Sequence, residues 1–86
     1  MINNKSILIT GGTGSFGKEM LKTLLENFKV KKIVVFSRDE LKQSELEQKY
    51  PSSKYKNIRY FIGDVRDYER LKSAFNGIDI VIHAAA

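Results

Sequence analysis

The stretch Thr10-Gly11-Gly12-Thr13-Gly14-Ser15-Phe16-Gly17 lies between a short apolar run, Ile7-Leu8-Ile9, and a long helical pattern. It satisfies two glycine spacings at once: Gly11, Gly14 and Gly17, and Gly12, Gly14 and Gly17. Three physical needs select glycine in such a place. The turn leaving a strand needs torsions closed to other residues, the backbone must approach a pyrophosphate with no Cβ in the way, and the helix must pack closely on the sheet. The helix N-terminus then offers free N–H groups and positive dipole character to the phosphates, and Thr13 and Ser15 add hydroxyl donors. A glycine triplet by itself marks any tight turn. The strand before it and the helix after it are the context that points to dinucleotide binding. A P-loop does not fit, because Gly17 is followed by Lys18 and then Glu19, with no Gly-Lys-Ser/Thr ending the loop.

Outward from this loop, three further apolar runs appear: Ile33-Val34-Val35-Phe36, the more mixed Ile58 to Ile62, and Ile78 to Ile82 with Asp79 inside it. Continuous apolar, β-branched runs suit strands buried on both faces, as in parallel sheets. Between them lie helical patterns. Phe16, Met20, Leu21, Leu24, Leu25 and Phe28 form one stripe of a first helix. Ser37 with Glu40 has the form of a capping box that opens a second helix through about Lys49. Its apolar stripe is thin, chiefly Leu41 and Leu46, and Pro51 stops it. Asp67 caps a third helix carrying Tyr68, Leu71, Ala74 and Phe75, which Asn76-Gly77 ends. Strict alternation of strand and helix implies right-handed crossovers and an α/β fold. The expected architecture is a Rossmann-type parallel sheet, a βαβαβαβ half with four strands and three helices.

Ala84-Ala85-Ala86 follows directly on the fourth strand. Residues 1–86 therefore read as the N-terminal part of an NAD(P)-binding domain whose catalytic and substrate-binding parts are absent. A complete domain of this length would leave one sheet face poorly covered at the fourth strand. An open sheet edge invites pairing with a second copy, so a homo-oligomer is expected.

Composition narrows the class. The hydrophobic share of 42% and charged share of 29% sit near globular averages, which argues against disorder and coiled coil. The absence of cysteine excludes a disulfide scaffold, thiolate zinc and thiol catalysis, and fits the cytoplasm, the expected location. No apolar run approaches the ~18–20 residues of a membrane span, and the N-terminus lacks a signal-peptide h-region, so no membrane partner is expected. Fifteen basic residues against ten acidic ones give a net charge of +5, which favours an anionic partner. Nucleic acid, nucleotide phosphates and acidic lipid all satisfy the sign. The lysines are scattered, as at Lys29, Lys31 and Lys32 or Lys49, Lys54 and Lys56, which reads as a solvated surface rather than a nucleic-acid interface.

The end of the second strand sets the cofactor type. An NAD enzyme usually places Asp or Glu there to bond the ribose 2′-hydroxyl. Here Phe36 is followed by Ser37-Arg38-Asp39-Glu40. A guanidinium beside a helix N-terminus suits a 2′-phosphate, so NADP is expected over NAD. The plainer roles are a cap for Ser37 and a surface ion pair with Asp39 for Arg38, and Asp39 keeps an NAD reading alive. Gly63-Asp64-Val65-Arg66-Asp67 follows the third strand. Asp64 there suits the adenine amino group, with Val65 against the ring, and suits equally a turn or cap. His83, the one histidine, has no carboxylate or nucleophile at readable spacing and reads as a packed structural residue. Ala84, Ala85 and Ala86 are small enough for a ribose or nicotinamide to lie against the backbone. Tyr50 with Lys54 and Tyr68 with Lys72 repeat the Tyr-x-x-x-Lys spacing of short-chain dehydrogenases. Tyr50 is followed by Pro51, and Tyr68 lies too early in the topology to meet a nicotinamide, so both read as surface or packing residues.

These landmarks resemble the extended short-chain dehydrogenase/reductase superfamily: Thr-Gly-Gly-Thr-Gly-Ser-Phe-Gly, Gly-Asp-Val-Arg-Asp and Val81-Ile82-His83-Ala84-Ala85-Ala86. The stretch from Phe36 to Ser44 is more specific. It resembles the nucleotide-sugar branch that contains UDP-N-acetylglucosamine 4,6-dehydratases and related capsule or flagellin-sugar enzymes. That resemblance implies a cycle in which NADP+ takes hydride from C4 of the sugar, water leaves across C5 and C6, and hydride returns to C6, with C5 epimerised in inverting members. It also implies that Thr13, Ser15, Phe16, Ser37, Arg38, Lys42, Asp64, Val65, Ala84 and Ala86 are cofactor contacts. With Gly11, Gly14, Gly17 and Ala85 they make the expected cofactor site. The family's catalytic Asp, Lys and Tyr lie beyond residue 86, so no catalytic residue and no metal ligand is expected here. The substrate implied for the whole protein is a UDP-sugar. A UDP-N-acetylglucosamine 4-epimerase shares this half and stands as the alternative. A non-catalytic nucleotide- or RNA-binding Rossmann module is the alternative of another class.

Overall fold

A computed structural model describes residues 2–84. The elements run β1 (Ser6–Thr10), α1 (Ser15–Asn27), β2 (Lys32–Ser37), α2 (Glu40–Lys49), β3 (Ile58–Ile62), α3 (Tyr68–Phe75) and β4 (Ile80–His83). All strand pairs are parallel, and the sheet order is β3-β2-β1-β4. The expected four strands and three helices are all present. β1 and β2 occupy the centre, where every residue of β1 is buried, and their uninterrupted apolar runs follow from that position. β3 and β4 flank them and expose part of each strand, so their sequences are more mixed.

Alternate side chains feed two cores. Ile7, Ile9, Ile33, Val35 and Ile58 pack with Leu21 and Leu24 of α1 and Leu46 of α2. Leu8, Val34 and Phe36 point the other way, onto Ala74 and Leu71 of α3. The chain moves outward from β1 to β3 with α1 and α2 on one face. It then recrosses to β4 with α3 on the opposite face, the placement right-handed crossovers demand. The direction of travel reverses between β1 and β4. Ligands of open α/β sheets bind at such a reversal, outside the carboxyl ends of the strands.

Several local expectations are corrected. Ser37 does not cap α2: it is the last residue of β2, and Asp39 is the N-cap, its carboxylate accepting from Lys42 N at 3.0 Å. Leu41 is 71% exposed, whereas Gln43 is buried because its amide donates to the carbonyls of Val35 and Phe61. Phe16 and Phe28 are exposed rather than part of the buried stripe of α1, which Leu21 and Leu24 supply. Asp79 stands outside β4 and accepts from Ser6 N at 2.8 Å, which ties the start of β4 to β1. Asp67 caps α3 as expected, accepting from Arg70 N.

Tyr60 on β3 donates its hydroxyl proton to the Tyr50 carbonyl at 2.6 Å. Burial, with the nearby charge of Glu47 and then Tyr50, pushes its pKa up from 10.0 to about 12. A phenol that holds its proton more tightly when folded stabilises the fold below the unfolded pKa. That contribution is lost as pH rises from about 10 to about 12. For a half-buried group the loss is on the order of 1 kcal/mol after screening. Urea titrations across that range should show a fall in midpoint that Tyr60→Phe reduces. An identical pH dependence in the variant would remove Tyr60 from the account.

Candidate functional site

The loop after β1 is built around two glycine requirements. Gly11 leaves the strand at φ 66°, in the left-handed region, and donates its N–H to the Phe36 carbonyl at 2.9 Å. Gly17 lies so close to the loop that a Cβ there would stand 2.5 Å from the Gly11 carbonyl oxygen and 2.6 Å from Gly12 Cα. Gly14 is different. Its φ of −77° is open to any residue, and a Cβ would meet nothing nearer than the Gly11 oxygen at 3.5 Å. The fold itself leaves room for a side chain at Gly14.

Gly14 is also the N-cap of α1. No side chain bonds the first-turn amides, and no acidic residue lies in that turn. α2 and α3, in contrast, are closed by Asp39 and Asp67 and carry Glu40 and Glu69 in their first turns. The N-terminus of α1 is thus the uncapped one of the three, with Ser15 and Phe16 exposed beside it. Open amides with positive dipole character favour an anion.

A cleft of about 440 Å³ opens beside this loop, at the carboxyl ends of β1, β2 and β3. It brings together Gly11, Thr13, Ser37, Arg38, Asp64 and Val65 of the expected residues. Thr13 and Ser37 are buried, and their hydroxyls lie 2.9 Å apart. Ser37 Oγ also accepts from Asp39 N at 3.1 Å. This chain of bonds ties the loops after β1 and β2 together, so both hydroxyls act first in shaping the cleft. Arg38 is exposed and makes one contact, Nη1 to Asp64 Oδ2 at 3.5 Å. Its partner is therefore Asp64 rather than Asp39. Asp64 is held by Arg66, whose Nη2 lies 2.8 Å from Oδ2 and whose backbone N–H donates to Oδ1 at 2.9 Å. The Arg66 guanidinium and amide keep the Asp64 carboxyl well below the usual carboxylate range.

Ser15 and Lys42 fall in an adjoining groove of about 500 Å³ between α1 and α2, with Thr13 shared between the two depressions. Ala84 follows β4, its N–H donating to the Thr10 carbonyl at 2.9 Å. Ala85 and Ala86 lie outside the described residues. His83 is exposed rather than packed, and its Nδ1 shares a hydrogen bond with the Thr10 hydroxyl. Neither tyrosine–lysine pair lines the cleft: Tyr50 packs edge-on to Tyr55 with rings 5.4 Å apart, and Tyr68 is exposed on α3. Among the described residues no group of His, Cys, Asp and Glu is arranged to hold a metal ion, and no helix is long and apolar enough to cross a membrane.

The family model described as "Polysaccharide biosynthesis protein" matches residues 7–86. This chain belongs to the polysaccharide biosynthesis protein family. It is 60% identical over 86 residues to the UDP-N-acetylglucosamine 4,6-dehydratase (inverting) of Campylobacter jejuni strain 81-176, covering all of this chain and 25% of that protein. It is 45% identical over 89 residues to the UDP-glucose 4-epimerase of Rickettsia bellii, again covering all of this chain and 25% of that protein. The X-ray structure of Pen from Bacillus thuringiensis superposes with a TM-score of 0.90 at 46% identity, covering 99% of this chain and 26% of that one. The chain thus spans about a quarter of the length of the curated relatives it matches. In this polysaccharide biosynthesis family member the Rossmann-type half and the nucleotide-sugar resemblance are both confirmed.

Of the four charged residues lining the cleft of this family member, Arg38, Asp39, Asp64 and Arg66, only Arg66 gains no role from the sequence alone. Its signal was present in the Asp64-Val65-Arg66 spacing just past β3, since a guanidinium two residues on can close back onto the carboxylate.

Proposed function

We propose that this chain is the N-terminal, cofactor-binding part of an NADP-dependent UDP-N-acetylglucosamine 4,6-dehydratase, a lyase of nucleotide-sugar metabolism. The observation that carries the cofactor half is the uncapped start of α1 at Gly14, where a Cβ would fit the fold and yet none is present. A pyrophosphate over that glycine accounts for both features. The 60% identity to the Campylobacter enzyme supports the choice of reaction.

When bound, the nicotinamide dinucleotide supplies the acceptor and donor of hydride for the sugar. The chain's own residues bind and orient. The first-turn amides at Ser15 and Phe16 receive the pyrophosphate, with Gly14 keeping a side chain out of the way and Gly11 and Gly17 shaping the loop that presents them. Thr13 and Ser37 hold the two loops at a fixed spacing. Arg38, with Lys42 from the adjoining groove, meets the 2′-phosphate. Asp64 meets the adenine amino group beside Val65, and Ala84 to Ala86 admit the nicotinamide ribose. In this reading the protein works in the cytoplasm on a UDP-sugar, as a homo-oligomer and without nucleic acid or membrane as partner.

Incubated with UDP-N-acetylglucosamine and NADP+, the 86-residue chain should form no product, because neither tyrosine–lysine pair reaches the cleft. A full-length protein carrying this segment should form a 4-keto-6-deoxy sugar. Turnover by the 86 residues alone would overturn the division of labour. The 45% identity to an epimerase favours a second reading, a UDP-N-acetylglucosamine 4-epimerase with the same cofactor half. Its product would keep the C6 hydroxyl, so mass analysis of the full-length reaction separates the two.

A further inference from the structure

Two guanidiniums compete for one carboxylate at the mouth of the cleft. Arg66 closes on Asp64 from four directions: its backbone N–H to Oδ1 at 2.9 Å, Nε to Oδ1 at 3.2 Å and to Oδ2 at 3.3 Å, and Nη2 to Oδ2 at 2.8 Å. The turn that allows this is fixed by Asp67 N donating to the Asp64 carbonyl at 2.9 Å. Arg38 reaches the same Oδ2 only at 3.5 Å, through one nitrogen. We propose that Arg66 is a positioning residue for cofactor choice: by occupying Asp64 it leaves Arg38 free for the 2′-phosphate of NADP. The inference rests on the reading of Arg38 as the residue that meets that phosphate.

The physical case has two parts. A carboxylate without a fork partner is a strong acceptor for any nearby guanidinium, and an Arg38 drawn into a bidentate pair with Asp64 has fewer donors left for a phosphate. The same carboxylate, with its charge uncompensated, repels the phosphate directly. Arg66 removes both effects. Asp64 is held ionised well below the usual carboxylate range by this contact, so the arrangement persists across neutral pH. The contact between Asp64 and the adenine amino group is common to NADP and NAD. It cancels in the ratio of the two affinities, which makes the ratio the right readout.

The test is calorimetric titration of the chain with NADP and with NAD, with circular dichroism to confirm that each variant is folded. Arg66→Ala should lower the NADP-to-NAD affinity ratio about three- to fivefold, the scale of one exposed charge contact. Arg66→Lys, which keeps the charge and loses the fork, should fall between. In an Asp64→Asn background Arg66→Ala should leave the ratio unmoved. If Arg38→Ala abolishes the preference while Arg66→Ala does nothing, the positioning role is wrong and the cofactor reading stands. If the ratio falls equally in the Asn background, Arg66 meets the phosphate itself, which also overturns the positioning role. If Arg38→Ala leaves the ratio unchanged, the cofactor reading fails and the inference fails with it.

Discussion

Alanine at Gly14 should leave the chain folded and weaken dinucleotide binding at least about tenfold, the equivalent of ~1.4 kcal/mol. The fold gives no reason for glycine there: φ is −77°, and the nearest atom to a built Cβ is 3.5 Å away. Stability should change by less than about 1 kcal/mol, the scale of an N-cap exchange. Binding should fall because the added methyl stands where a pyrophosphate must approach the amides of α1. Gly17→Ala is the informative contrast. Its Cβ would meet backbone at 2.5 and 2.6 Å, which cannot yield as a flexible side chain does, so the cost should be about 2–3 kcal/mol in folding. Urea unfolding and calorimetry on both variants separate the roles. A Gly14→Ala chain that binds as the parent does would place the pyrophosphate elsewhere.

Arg38→Ala should weaken NADP binding by about 10- to 100-fold and leave NAD nearly unaffected, the range of one to two charge-assisted hydrogen bonds. Arg38 is 73% exposed by its side chain and tied down only at 3.5 Å, so it is free to turn to a phosphate. The residue an NAD reading would lean on, Asp39, is committed to capping α2 through Lys42 N. Equal losses for the two dinucleotides would reassign Arg38 to the shared part of the cofactor. Asp39 would then be the residue to test against the ribose.

The fold was legible where burial is symmetric. β1 and β2 lie between two helical layers, and their apolar runs state that directly. The Gly11–Gly17 loop was legible because backbone geometry leaves so few residues that fit. α2 is less legible, for two reasons that local pattern does not carry. Ser37 has the spacing of a cap to Glu40, yet its hydroxyl is turned toward Thr13, 24 residues away, and Asp39 takes over the cap. Gln43 looks like a surface residue, yet it is buried because two strand carbonyls accept from it. The cleft shows the same division. Arg38 and Asp64 could each be nominated from their places after β2 and β3. That they touch depends on the register of those strands, which aligns Ser37 with Ile62. His83 has no carboxylate or nucleophile at readable spacing, which favours a packed residue, but the alternation of β4 leaves it on the exposed side.

Adenosine 2′,5′-bisphosphate tests the central claim most directly, because it needs only the loops after β1, β2 and β3, all within the described residues. Thermal and urea unfolding of the chain should be followed with this ligand and with adenosine 5′-monophosphate. At ~100 times its dissociation constant the bisphosphate should stabilise the fold by about 2.7 kcal/mol, and at the same concentration the monophosphate should do much less. Equal stabilisation by the two, or none by either on a folded sample, would contradict an NADP site built from the open end of α1 and Arg38.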